Sequence, residues 1–164
     1  AVNVEIAFAV AQVEAGADII GIGDAVASQI SPRMYRKLAL PFEQRIIEAV
    51  HTKGALARLH ICGDTSKILP DMAASGADII DIDWMVDMER AAVAFADGPA
   101  VCGNVDPVRI MLRGTPEEVY AGVVDCMHKG GPRCISAAGC EIPDKSPHAN
   151  LKSQTAALHV VGQG

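Results

Sequence analysis

The stretch Ala-Gly-Ala-Asp-Ile-Ile-Gly-Ile at residues 15–22 recurs as Ser-Gly-Ala-Asp-Ile-Ile-Asp-Ile at residues 75–82. Each copy joins the glycine end of a helix to a run of branched apolar residues, which is typical of a buried parallel strand. The interval between the copies holds two βα units of about 30 residues each. The repeat therefore predicts an α/β chain with a regular βα period.

Five such units follow one another along the chain. Strands are predicted at 18–23, 55–61, 78–83, 99–103 and 134–138, and helices at 3–15, 35–52 with a break at Pro41, 65–75, 87–96, 115–129 and 147–160. Short connections favour a parallel sheet, and the regular repeat favours a (β/α)8 barrel over an open doubly wound sheet. Five units do not close a barrel. Residues 1–164 are therefore interpreted as a single domain, the C-terminal part of a TIM-like barrel, and since the chain opens at Ala1 we expect a preceding part.

The composition excludes several classes of protein. Half of the 164 residues are hydrophobic, and 14 basic against 20 acidic residues give a net charge of -6, which argues against nucleic acid or an anionic membrane as a partner. No apolar run reaches the roughly 20 residues of a membrane span. Five cysteines, an odd number without an evident signal peptide, indicate reduced thiols and a cytoplasmic location.

A His-x-Cys pair stands at the end of the second predicted strand. His60 and Cys62 are two positions apart, so their side chains share a face of the strand. An imidazole and a thiolate side by side are typical ligands of Zn2+. A strand histidine and a buried cysteine without any metal are the alternative explanation.

A third ligand is expected from elsewhere in the chain. The best candidate is Cys140, which follows the fifth strand and precedes a helix start, in a position equivalent to that of the His-x-Cys pair. Three protein ligands with an open fourth position are typical of a catalytic zinc.

Four more polar residues follow predicted strands. Asp24 and Asp83 are candidate catalytic groups that orient substrate or a ligand imidazole, or act as general acid or base, although helix capping is an equal alternative. Asn104 and Asp106 are candidate substrate-binding residues in a Gly-Asn-x-Asp-Pro turn, where both types also occur as ordinary turn formers. In a barrel the carboxyl ends of the strands carry the chemistry, so we expect all of these residues at one rim.

Three motifs carry a resemblance to a known family. Leu-His-Ile-Cys-Gly-Asp at 59–64, Gly-Asn-Val-Asp-Pro at 103–107 and Gly-Cys-Glu-Ile-Pro at 139–143 resemble the uroporphyrinogen decarboxylase superfamily, specifically its zinc-dependent branch of corrinoid methyltransferases. The resemblance covers essentially the whole chain and aligns it with the C-terminal half of the family's barrel. It assigns the family's zinc ligands to His60, Cys62 and Cys140.

The resemblance implies methyl transfer between a corrinoid carried by a partner protein and a small thiol, such as coenzyme M, or a methylated small molecule. In that reaction a thiolate attacks the methyl group of methyl-cobalt(III) and leaves cobalt(I). Porphyrinogen decarboxylases lack the His-x-Cys pair, so decarboxylation is the second hypothesis. A non-catalytic barrel fragment with a structural zinc is the third.

An incomplete barrel also leaves strand edges without partners. We expect these edges to be covered by a second copy in a homo-oligomer or by sequence outside residues 1–164.

Overall fold

The computed structural model describes residues 1–161, which form one parallel sheet with helices on its outer face. The strands are β1 Ile19–Gly23, β2 Leu56–Ile61, β3 Ile79–Ile82, β4 Ala100–Val105 and β5 Cys134–Ala138. The helices are α1 Val2–Glu14, α2 Pro32–Leu38, α3 Leu40–Thr52, α4 Leu69–Ala73, α5 Met88–Ala94, α6 Pro116–Gly130 and α7 His148–Val161. No helix within this range is long and apolar enough to cross a membrane.

The order of the strands distinguishes between the two predicted architectures. The five strands pair in chain order, β1-β2-β3-β4-β5, and every pair is parallel. A doubly wound sheet reverses its strand order at a switch point, whereas a barrel adds each strand beside the last. The sequential order confirms the predicted part of a TIM-like barrel. Among the described strands, β1 and β5 are the two edges.

The core lies between the sheet and the helices. Alternate residues of β2 and β3 are fully buried on this outer face, namely Leu59, Ile61, Ile80 and Ile82. The residues between them point to the other face of the sheet, which is the inside of the barrel. The register aligns His60 of β2 with Gly23 of β1 and Asp81 of β3. The polar residues of these strands are therefore inside the barrel.

Prolines decide where one predicted helix breaks and where another begins. The predicted break near Pro41 is confirmed, since α2 ends at Leu38 and α3 begins at Leu40. The predicted start at Thr65 of the helix over 65–75 is wrong, because the corresponding helix, α4, begins only at Leu69. Pro70 has no N–H to donate and its ring crowds the carbonyl group four residues back, so a helix cannot run through it from Thr65. Pro70 is instead accommodated in the first turn of α4.

The fourth strand is longer than predicted. The sequence predicts a strand that ends at Gly103 and a turn after it, but β4 continues to Val105. Asn104 therefore lies inside the strand, where it is 9% exposed, and the turn begins at Asp106. The predicted turn position of Asn104 is wrong, since pairing with β5 continues through Asn104 to Val105.

Candidate metal centre

Three side chains from distant parts of the chain meet at the carboxyl edge of the sheet. Nε2 of His60 lies 3.2 Å from Sγ of Cys62, and that sulfur lies 3.8 Å from Sγ of Cys140. One ligand atom from each residue lies within 4.8 Å of the other two. A tetrahedral zinc with sulfur ligands at about 2.3 Å holds the two sulfurs about 3.8 Å apart. The three side chains therefore fit a zinc ion.

The cysteines of the cluster differ from the others in their surroundings. Cys62 and Cys140 are free thiols and half-buried, whereas the other three cysteines are buried. Burial raises the pKa of the Cys62 thiol. The hydrogen bond to Cys140 and the negative charge of a Cys140 thiolate raise this pKa as well. Two thiolates side by side need a compensating cation, and a bound metal supplies one.

The imidazole of His60 is held in the tautomer that metal binding needs. Nδ1 of His60 lies 3.0 Å from the main-chain oxygen of Asp81. Because a carbonyl oxygen only accepts hydrogen bonds, Nδ1 is the donor in this contact. The lone pair of the neutral ring is then on Nε2, the nitrogen beside Cys62.

Asp81 is a site residue that sequence reasoning missed. It is paired in register with His60, and its carboxylate lies 3.5 Å from Nδ1 of that histidine. The Asp81 side chain is only 7% exposed and accepts a hydrogen bond from Arg58 of β2. The signal that would have revealed it is the sheet register, which aligns the middle of the second Gly-Ala-Asp repeat with the His-x-Cys strand.

Asp83 connects the loop after β2 to the loop after β3. Its Oδ2 accepts a hydrogen bond from the main-chain N–H of Gly63 at 2.9 Å, and its Oδ1 accepts one from Met85 at 3.1 Å. The residue is 5% exposed. Because Gly63 directly follows Cys62, Asp83 fixes the position of that cysteine. Both carboxylate oxygens are thus occupied by main-chain donors.

Gly139 brings Cys140 to the site. A Cβ atom at Gly139 would lie 2.2 Å from the main-chain nitrogen of Trp84, a distance that no side chain tolerates. The main-chain N–H of Gly139 donates to the carbonyl oxygen of Val105 at 2.8 Å. Only glycine allows the loop after β5 to lie this close to the loop after β3, and the sequence alone contains no signal for this contact.

The remaining predicted residues lie around the cluster rather than in it. Asp24 donates its main-chain N–H to the carbonyl oxygen of His60 at 2.9 Å, but its side chain lines a separate cavity with Glu43. Asn104 donates to the carbonyl oxygens of Asp83 and Val86 at 3.1 and 2.6 Å. Asp106 accepts hydrogen bonds from two main-chain N–H groups of the helical turn that follows it.

An open cavity adjoins the three candidate ligands. It has a volume of about 560 Å3, and its walls include the candidate ligands together with Arg58, Ser136 and Gln154. The side-chain amide of Gln154 donates to the hydroxyl of Ser136 at 3.3 Å. The cavity is large enough for a small organic molecule to reach the metal centre.

The chain is similar to two groups of curated proteins. It is 38% identical over 149 residues to "Methylcobamide:CoM methyltransferase MtbA" of Methanosarcina mazei. The aligned residues cover 90% of this chain and 43% of that protein. It is 35% identical to "Uroporphyrinogen decarboxylase" of Chlorobium phaeovibrioides, covering 87% of this chain and 42% of that protein. The chain thus spans less than half the length of these relatives.

Two solved structures of other proteins superpose on this chain. A methyltransferase from Methanosarcina mazei superposes with a TM-score of 0.89 at 30% sequence identity, covering 97% of this chain and 47% of that one. D-Psicose 3-epimerase from Clostridium cellulolyticum superposes with a TM-score of 0.51 at 13% identity over 93% of this chain and 64% of that one, a likeness of fold alone.

The family assignment follows from a match over nearly the whole chain. Residues 1–161 match the family described as uroporphyrinogen decarboxylase (URO-D). This match agrees with the resemblance carried by the three sequence motifs and with the sequential parallel sheet. The chain belongs to the uroporphyrinogen decarboxylase family.

Proposed function

We propose that the protein is a zinc-dependent methyltransferase that moves a methyl group between a corrinoid protein and a small thiol or methylated molecule. The observation that carries this proposal is the meeting of one imidazole nitrogen and two sulfurs within 4.8 Å, beside an open cavity. The similarity to methylcobamide:CoM methyltransferases supports it. Decarboxylation has no evident use for a pair of thiolates at this position.

The residues that would hold the zinc are His60, Cys62 and Cys140. Within residues 1–161 the cluster contains these three ligands, and a tetrahedral ion bound to them would leave a fourth position open for a substrate. Zinc bound there supplies a Lewis-acid position that lowers the pKa of an incoming thiol. A structural zinc would instead have four protein ligands.

The protein's own side chains orient this site. The carbonyl oxygen of Asp81 turns Nε2 of His60 towards Cys62. Asp83 fixes the loop of Cys62 through the N–H of Gly63. We propose positioning roles for Asp83 and for Asn104, whose amide is bound to the same loop after β3.

Asp24 and Asp106 stay candidates for substrate or proton contacts. Asp24 directly follows β1, and its main-chain N–H donates to the carbonyl oxygen of His60. Asp106 is 11% exposed and caps the helical turn that follows β4. Neither carboxylate belongs to the ligand cluster, so we expect weaker effects from their substitution than from loss of a ligand.

The proposal is tested by a transfer assay with the full-length, zinc-loaded protein. Methylcobalamin and a thiol are supplied, and formation of cob(I)alamin is followed by its absorbance. We expect turnover that a chelator abolishes and that added zinc restores. Turnover of uroporphyrinogen in the presence of chelator, without methyl transfer, would instead support the decarboxylase hypothesis. The similarity to the Chlorobium phaeovibrioides decarboxylase is the observation that favours this alternative.

A further inference from the structure

A second cavity lies on the helix side of β1, away from the metal centre. Its floor is formed by residues 20–24, and its walls belong to α1 on one side and to the segment of α2 and α3 on the other. It has a volume of about 420 Å3 and shares no lining residue with the cavity beside the candidate ligands. We propose that it binds a small alkylammonium ion, whose charged head lies against the carboxylates of Glu43 and Asp24.

Glu43 brings a free acceptor to this cavity. Its Oε2 accepts a hydrogen bond from the hydroxyl of Tyr35, whereas its Oε1 is buried and finds no donor among residues 1–161. The residue is 3% exposed and lines the cavity. A buried carboxylate oxygen without a donor is unfavourable, so a ligand that donates a hydrogen bond to Oε1 gains from the contact.

The polar lining of the cavity is acidic. It consists of Glu5, Asp24, Glu43 and the neutral amide of Gln12, and none of the described lining residues carries a positive charge. Burial raises the pKa of Glu43 to about 7, and the charge of Asp24 raises it as well. The two carboxylates therefore repel each other when both are ionised. A cation placed between them removes this repulsion, whereas an anion would add to it.

The apolar lining selects the body of the cation. Ile20 and Ile22 belong to the floor, and the rings of Phe8 on α1 and Phe42 on α3 belong to the walls. Aromatic faces attract ammonium groups, and apolar walls pack against a short alkyl chain. A metal ion gains nothing from such walls, since it needs several oxygen ligands around it. A primary ammonium group also offers three N–H donors to the two carboxylates.

Titration calorimetry at pH 8 with the full-length protein tests the site. At that pH Glu43 is mostly ionised, since its pKa is about 7. n-Butylammonium is titrated into the wild type, Glu43→Gln and the control Glu48→Gln, which changes an exposed carboxylate of the same helix. We expect Glu43→Gln to weaken binding about 10-fold or more, because a charge-assisted hydrogen bond is lost. The control should stay within about twofold of the wild type.

Two further variants separate the charge of the site from its shape. The amide in Glu43→Gln still accepts the hydrogen bond of Tyr35, which preserves the packing around it. Asp24→Asn should weaken binding of n-butylammonium about 10-fold as well, because it removes the second carboxylate. Phe42→Leu keeps an apolar wall and should weaken binding only about 2- to 5-fold, through loss of the aromatic face.

A neutral probe of the same length provides the last comparison. 1-Butanol should bind the wild type at least about 10-fold more weakly than n-butylammonium, because it lacks the charge. Equal binding of the two probes would overturn the inference, and so would equal binding of n-butylammonium by the wild type and Glu43→Gln, or no binding by the wild type. None of these measurements involves methyl transfer, so their outcome is independent of the proposed function.

Discussion

The Sγ atoms of Cys62 and Cys140 lie 3.8 Å apart although 78 residues separate them in the chain. Both loops are set against the loop that follows β3. Asp83 of that loop binds the N–H after Cys62, and the backbone of Trp84 packs against Gly139. The loop after β3 therefore acts as a spacer that determines how far apart the two sulfurs lie.

Loss of a sulfur should release the metal. We expect Cys140→Ser to weaken zinc binding at least about 100-fold, because thiolates contribute a large share of the affinity of such sites. Competition with a chromophoric chelator measures the change. Cys134→Ser is the matched control, since it removes a buried thiol outside the cluster. Full zinc content in Cys140→Ser would contradict the assigned ligand set.

A methyl group at Gly139 should disturb the site without touching a ligand. In Gly139→Ala the new Cβ would meet the nitrogen of Trp84 at 2.2 Å, so the loop of Cys140 must move. We expect weaker zinc binding and a loss of roughly 1–3 kcal/mol of stability from overpacking. Gly21→Ala provides the control, because no atom of the described residues lies within 4 Å of a Cβ there. Equal zinc affinity in the two variants would show that the close approach is unimportant.

Removal of the Asp83 carboxylate should loosen the loop of Cys62. Asp83→Ala leaves the N–H groups of Gly63 and Met85 without their acceptor. We expect zinc affinity to fall about 10- to 100-fold, as is usual when a group supporting a ligand is removed. A matched variant, Asp87→Ala, removes an exposed carboxylate that caps α5. If both variants bound zinc as the wild type does, Asp83 would have no positioning role.

Glu43 is a buried carboxyl group on α3, away from the metal centre. It is 3% exposed, accepts a hydrogen bond from the hydroxyl of Tyr35 at 2.6 Å, and finds no hydrogen-bond partner for Oε1 among residues 1–161. The pKa of Glu43 is raised from the ordinary 4.5 to about 7, chiefly by burial and also by Asp24, against the lowering effect of the Tyr35 hydrogen bond. The folded protein therefore binds this proton more tightly than the unfolded chain does.

The stability contributed by this proton should decline with rising pH. It is complete below about pH 4.5, the ordinary pKa, and is lost as the pH rises through about 7. The free energy of unfolding of the wild type, relative to Glu43→Gln, should fall by roughly 2–3 kcal/mol between pH 5 and pH 8. Urea unfolding at several pH values measures the difference. If the difference in the free energy of unfolding stays constant or grows with pH, Glu43 is not protonated in the folded protein.

The sequence was sufficient for features that depend on local periodicity. The βα repeat at 15–22 and 75–82 led to the parallel sheet, and alternation along β2 put His60 and Cys62 on one face. Cys140 could be proposed because its loop occupies an equivalent position after β5. The late start of α4 was also readable in principle, since Pro70 stands where the predicted helix would need an N–H.

Features that depend on register and tertiary approach were not predictable in this way. Asp81 supports His60 only because the two residues are paired across strands. Gly139 is required only because the backbone of Trp84, far away in the chain, comes against it. The Gly-Asn-x-Asp-Pro context of Asn104 is typical of turns and predicts one there, yet continued pairing of β4 with β5 keeps Asn104 in the strand.

X-ray absorption at the zinc edge, with the full-length protein before and after addition of a thiol, identifies the ligands of the metal and shows whether a thiol can join them. We predict one nitrogen and two sulfur ligands from the protein with a light-atom ligand in the fourth position, which a third sulfur replaces when the thiol is added. Four protein ligands that the thiol leaves unchanged would contradict the catalytic site, and a protein that binds no zinc at all would contradict the metal centre itself.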